Sequence, residues 1–298
     1  MEIHDLAVHG VIATRDATAL GLSPSDIVRL CRQCTLRRMI RGWYAVCPPG
    51  VDPPPWEGRT PWETQCNCHT LLISALVRSF EGRVIASHHS SLLLNGGRLH
   101  GVDFATAHVA RMATVFSRHR DQAVIHPKLV SADFPPVTSP SGLITVHPLL
   151  AAIQVGLIEH ADRAPDPVVS LVAVDGLLHD GIVTTEAVNV ALALFRNHPG
   201  IHRVKTVLQH RNGDHESVAE TLLALSLRAL GYSFRAQVPH TVNGVIRKVD
   251  FELIDEQVAI EFDGLEKYGG MDRAPNPAAV RLQLSREKTR EDGIRAQG

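Results

Sequence analysis

The sequence predicts an α+β protein in three parts: a small helix–helix–hairpin module, a mostly helical middle and an α/β end. Three observations carry that expectation. Helix-start signals converge at residues 23–26, just ahead of a two-strand pattern at 36–46. Helical spacing fills residues 149–210. A strong amphipathic helix at 216–232 is then followed by strand patterns. With roughly 100–200 residues per domain, a chain of this length suggests two or three domains. An apolar content of 44% and a charged content of 20% suit a globular protein with a sizeable core.

The first module is read over residues 1–47. A short helix is expected near 3–9, and a second over TRDATALG (14–21), stopped by Gly21. SPSDIVRLCRQC (23–34) opens with Ser23 as N-cap, Pro24 at the first helical position and Asp26 in the first turn. Ile27, Leu30, Cys31 and Cys34 recur at helical spacing and are expected on one buried face. LRRMIRGWYAV (36–46) reads as two strands around a turn at Arg41-Gly42. Two helices and a hairpin in this order predict a winged helix-turn-helix. Arg29, Arg32, Arg37, Arg38 and Arg41 fall here with no acid among them, although the net charge of the chain is only −1. A local basic patch of this kind holds phosphates. Ser25, Arg29, Arg32 and Gln33 on the exposed helix side are of types that reach base edges in a major groove, so double-stranded DNA is the expected partner.

Residues 48–61 are Pro/Gly-rich and read as a linker. The middle domain is expected over 62–210: a helix at about 62–80, short strands and loops over 83–147, then helices broken near Gly181 and Gly200. His88-His89 opens an apolar helix and is read as capping or packing. The last domain is placed at 211–298, with an amphipathic helix, a strand, a turn at Asn243-Gly244, strands at 246–254 and 257–263, and a helix at about 277–292.

Acids cluster in KVDFELIDEQVAIEFDG (248–264), where strands should be apolar. Asp250, Glu261 and Asp263 are expected to converge, while Glu252, Asp255 and Glu256 read as solvated. Converging carboxylates repel unless a cation separates them. Oxygen donors suit Mg²⁺ or Mn²⁺, and such a metal activates water for attack on a phosphodiester. Glu216 or Glu220 on the preceding helix is expected to add a further carboxylate, and Lys267 a cation for the phosphate. The five cysteines include CRQC (31–34) and CNCH (66–69), a spacing able to hold zinc. The place of Cys31 and Cys34 on a core face argues against it. Neither a secretory signal nor a membrane-length apolar run is visible, so the chain reads as cytoplasmic, with no membrane partner.

The quoted segments resemble a known family. GVIATRDATALGLSPSDIVRLCRQCTLRRMIRGWYAV is similar to the N-terminal winged-helix domain of AbiEi-type antitoxins. VIASHHSSLLLNG (84–96), VTSPSGLITV (137–146) and VDGLLHDGIVTTEAV (174–188) look like the middle of actinobacterial members. ESVAETLLALSLRALGY and KVDFELIDEQVAIEFDGLEKY resemble a very-short-patch-repair (Vsr-like) PD-(D/E)XK nuclease domain, a restriction-endonuclease-like fold. The resemblance implies that Glu216 is the acid of the first helix, Asp250 the first motif acid and Glu261 the second. Asp263 stands where many members of the wider superfamily have Lys, which leaves that role to Lys267 or Lys288. Similar proteins continue past EKTREDGIRAQG (287–298) into one more strand, so the end domain is read as lacking its last strand. Two functions follow. One is a DNA-binding protein with a metal-dependent endonuclease domain acting in defence or repair. The other is a non-enzymatic antitoxin-like transcriptional regulator whose end domain is structural, with a toxin protein or a second copy of the chain as partner.

Overall fold

The computed structural model of the chain describes residues 2–112, 118–120, 122–127, 131–159, 164–242 and 245–261. Asp263, Lys267, Lys288, the Asn243-Gly244 turn and the helix expected near 277–292 lie outside these. The described fold is mixed α+β and divides into two compact units, residues 1–177 with 181–211, and residues 178–180 with 212–298.

The first unit begins with a 3-10 turn (Ile3–Leu6), within the helix expected near 3–9, followed by β1 (Val11–Ala13), α1 (Thr14–Ala19), α2 (Pro24–Arg32), β2 (Leu36–Ile40) and β3 (Trp43–Val46). The strands form an antiparallel sheet in the order β1-β3-β2. α2 starts where the sequence places it. Ser23 Oγ accepts from the Asp26 amide, and the Asp26 carboxylate accepts from the Ser23 amide, a reciprocal cap with Pro24 beside it. Gly42, at φ +80, closes the hairpin in the left-handed conformation. Two expectations fail here. β1 was not foreseen, because three apolar residues carry no period. Cys34 does not join the buried face: it lies past the end of α2, exposed, at φ +56.

Both faces of this sheet are buried, and alternation explains how. Ile12, Leu36 and Val46 pack with Ala17 and Ile27 of the two helices. Val11, Ala13, Trp43 and Ala45 face the other way, onto Trp56, Leu71 and Ala75. Leu71 and Ala75 belong to α3 (Pro61–Ser79), capped by Thr60 Oγ1 on the Glu63 amide. Trp56 stands inside the segment read as a linker and is buried, so that otherwise largely exposed segment is pinned to the core at this one residue. Arg78 of α3 donates to the Val11 carbonyl at 2.6 Å and lies 4.9 Å over the Trp43 ring.

The opposite side of α3, with Leu72, Ile73 and Leu76, packs on a six-stranded mixed sheet. Its strands are β4 (Val84–Ala86), β5 (Ala107–Arg111), β6 (Arg118–Arg120), β7 (Ala123–His126), β8 (Val137–Thr138) and β9 (Ile144–Thr145), in the order β6-β7-β5-β4-β9-β8. α4 (His88–Leu94) follows β4 directly. The helical run comprises α5 (Pro148–Val155), α6 (Val168–His179), α7 (Thr185–Leu194) and α8 (Ile201–Leu208). α5 is buried along its whole length, as a helix apolar on all sides must be.

The second unit holds α9 (Val218–Ala229) and a three-stranded antiparallel sheet, β10 (Phe234–Val242), β11 (Val245–Leu253) and β12 (Val258–Ile260). Ala224, Leu227, Phe251 and Leu253 form its core. Among the described residues no helix is long and apolar enough to cross a membrane.

Leu150 in α5 is fully buried. Its replacement by Ala is expected to cost about 2–5 kcal/mol. Trp43, Trp56 and Trp62 all lie in the first unit, so tryptophan fluorescence during urea unfolding reports that unit. An unshifted midpoint in Leu150→Ala would contradict the assigned packing.

Candidate functional site

Three places carry chemistry-bearing side chains. The first is the surface of the N-terminal module. Ser25, Arg29, Arg32 and Gln33 are all exposed on or just past α2, and Arg37, Arg38 and Arg41 are exposed on β2 and its turn. Residues 27–51 contain five arginines and no Asp or Glu. Arg29 is partly neutralised by Asp26 at 2.8 Å. Hydrogen bonds from Ser23, then the Arg29 charge, hold the Asp26 carboxyl below the usual range, so it stays anionic near neutral pH. Among the described residues, no ion pair is recorded for Arg32, Arg37, Arg38 or Arg41, which leaves them available to an external anion.

The second place is the α9 end of the second unit. Antiparallel pairing sets Phe251 opposite Ile260, and continuing that register by one residue sets Asp250 opposite Glu261. On the other side, the ladder joins Ala236 to Phe251 and Val238 to Val249, so Gln237 falls opposite Asp250. Gln237 stands at φ +51 and interrupts the ladder. Its Nε2 donates at 3.1 Å to Oε2 of Glu220, which is buried on the first turn of α9. Glu220 also accepts from the Glu216 amide and the Ser217 hydroxyl, while Glu216 itself is exposed. The helix acid that reaches the sheet is therefore Glu220. The sequence named it beside Glu216, but the mediation by Gln237 was not foreseen. Asp250 is half-buried and Glu261 exposed, so the pair sits at a surface rather than inside an apolar shell. Hard oxygen donors at adjacent strand positions suit Mg²⁺ in chemistry. Among the described residues, no third His, Cys, Asp or Glu joins them in a metal-binding group.

Glu252 is not a solvated face residue. His240 Nε2 meets its Oε2 at 3.0 Å. The ladder partners of these two residues are Arg247 and Arg235. Five residues of straight ribbon would hold them roughly 16 Å apart, so the ribbon bends between them, where Gln237 breaks the ladder.

The third place was missed in the sequence. His88, His108 and His126 bring ligand-capable nitrogens within 4.8 Å of one another. His88 is the first residue of α4, at φ +52, and His108 and His126 stand on the adjacent parallel strands β5 and β7. His126 Nε2 lies 2.9 Å from His108 Nδ1, and the His88 ring stacks on His126 at 3.9 Å. Burial, followed by the neighbouring imidazoles, pushes His88 well below the usual histidine range. Nearby His69 spans the Phe104 carbonyl and Ser90 Oγ at 2.8 and 2.9 Å, and burial lowers it to about 4. The only sequence signal was the density of histidine in a chain with 17 of them. The cysteines form no comparable group among the described residues, and all five are free thiols.

No protein-family model matches the chain, and no curated protein matches it. Among solved structures it is similar to the crystal structure of the RV2827C protein from Mycobacterium tuberculosis, at 15% identity over 75% of this chain and 77% of that one, with a TM-score of 0.43.

The low His69 value has a pH consequence. Its folded value near 4 lies below the ordinary 6.5, so between these the unfolded chain binds the extra proton. Its contribution is complete above about 6.5 and lost as pH falls toward 4, on the order of 3 kcal/mol. Urea midpoints by tryptophan fluorescence should therefore fall from pH 7 to pH 5, and less steeply in His69→Gln. Parallel pH profiles for the two proteins would refute this.

Proposed function

We propose that the chain is a double-stranded DNA-binding protein whose N-terminal module is a winged helix-turn-helix, and that its second unit is a nuclease-like domain acting through a divalent metal. One observation carries the first part: α2 and the β2–β3 hairpin present seven exposed polar and basic side chains, six of them within the acid-free residues 27–51. Helix residues Ser25, Arg29, Arg32 and Gln33 face base edges, and Arg37, Arg38 and Arg41 neutralise flanking phosphates. Phosphate neutralisation releases counterions, so binding weakens with salt. Asp250 and Glu261, opposite each other when the β11–β12 register is continued by one residue, would hold Mg²⁺ or Mn²⁺ together with Asp263. A divalent ion held there would supply Lewis-acid chemistry, activating water and offsetting charge on a phosphodiester. Lys267 supplies a further positive charge. The family reading is an AbiEi-type antitoxin with a Vsr-like PD-(D/E)XK end, active in DNA defence or repair.

A second reading is favoured by Glu220. Its carboxylate accepts from the Glu216 amide, Ser217 and Gln237, which is helix capping and sheet anchoring rather than an open ligand position. In this reading the end domain is structural and the chain is a transcriptional regulator, with a toxin or a second copy as its protein partner.

Gel shifts on a fragment carrying the protein's own promoter test the reader. Arg37→Ala/Arg38→Ala should bind at least tenfold more weakly, and each lost phosphate contact should lower the salt slope by roughly one. Unchanged affinity and slope would remove the hairpin from the interface. Plasmid nicking with Mg²⁺ tests the chemistry. Wild type should nick and Asp250→Ala/Glu261→Ala should not, whereas nicking by neither, or by both, leaves only the regulator.

A further inference from the structure

The imidazole cluster of the first unit stands on α4, β5 and β7, none of which carries a residue assigned above to DNA contact or phosphodiester chemistry. We propose that His88, His108 and His126 form a binding site for one late first-row divalent cation of the Zn²⁺ type, with water in the remaining position.

Donor chemistry and geometry support this. Three imidazoles are a donor set suited to zinc, copper or nickel and poorly suited to Mg²⁺. Three protein nitrogens and an open fourth position are the tetrahedral arrangement of a reactive zinc site. The nitrogens of His108 and His126 already lie 2.9 Å apart. Two imidazole ligands on tetrahedral zinc stand about 3.3 Å apart, given Zn–N near 2.0–2.1 Å. A cation replacing the proton of that contact therefore moves this pair by a few tenths of an ångström, with His88 drawn in from the 4.8 Å limit. Metal uptake would then release a proton.

The surroundings hold the ligands as a metal site requires. His88 Nδ1 lies 3.0 Å from Ser87 Oγ, which leaves its Nε2 as the ligand atom. Ser90 Oγ accepts from the His108 amide at 2.9 Å and fixes the strand that carries it. The neighbouring histidines are engaged elsewhere. His69 uses both nitrogens on Phe104 and Ser90, and His89 Nε2 is on the Thr106 carbonyl. His88 and His108 are buried while His126 is only half-buried, which gives a cation a way in. His88 also holds a left-handed backbone that an L-residue adopts only at a cost, and such strain collects at functional positions.

The full chain, stripped with a chelator and dialysed against limiting Zn²⁺ with excess Mg²⁺, tests the site by metal analysis. One zinc per chain is expected. It should persist in Asp250→Asn/Glu261→Gln and in Cys31→Ser/Cys34→Ser/Cys66→Ser/Cys68→Ser, and be lost in His126→Asn with an unchanged far-ultraviolet circular dichroism spectrum. If His126→Asn does not fold, X-ray absorption at the zinc edge of wild type decides, with imidazole scattering expected. No retained zinc, sulfur or oxygen-only ligation, or full retention in folded His126→Asn overturns the proposal and leaves a permanent imidazole network.

Discussion

The two-sided burial of α3 is the constraint on which the first unit depends. One side of this helix covers Val11, Ala13, Trp43 and Ala45, and the other covers Ala86, Ala107 and Ala123 of the six-stranded sheet. Small residues on that sheet let the helix approach closely, while Leu72, Ile73 and Leu76 fill the space between. The basic hairpin and the histidine strands are thus both fixed against one rigid element. That rigidity positions side chains, since a packed core transmits strain rather than absorbing it.

Charge is distributed in a way that the near-zero total conceals. The arginines of the N-terminal module stand in solvent, where their charge costs nothing to keep and reaches an approaching polyanion. The imidazoles sit where charge is penalised, so burial favours the neutral form of His69 and His88. In the second unit, Glu220 remains buried because three donors satisfy it, whereas Asp250 and Glu261 remain near water.

Local signals in the sequence were read well where one turn of chain contains the whole cause. Ser23, Pro24 and Asp26 set the start of α2, and Gly42 sets the hairpin. The α9 helix follows from spacing in the same way. What needed tertiary information was lost. β1 is too short for a period of two to declare itself, and the short strands expected over 83–147 could not be paired or ordered from sequence, β8 and β9 being two residues each. Cys34 fitted a helical period that ended before it. His88, His108 and His126 are separated by 20 and 18 residues, and only the parallel pairing of β5 with β7 brings the last two together. The Glu252 contact with His240 required a bend that no residue type announces.

The clamp of Arg78 on the Val11 carbonyl and the Trp43 ring has a consequence for biosynthesis. The N-terminal sheet is encoded within the first 46 residues, yet one of its faces is covered by Trp56 and by residues 71–78. A ribosome that has released only the sheet has released a surface of Val11, Ala13, Trp43 and Ala45 with no cover. The module therefore reaches its final packing only after about thirty further residues have emerged. For that interval the arginine-rich module is also the segment most exposed to chaperones and to its own neighbours on the polysome.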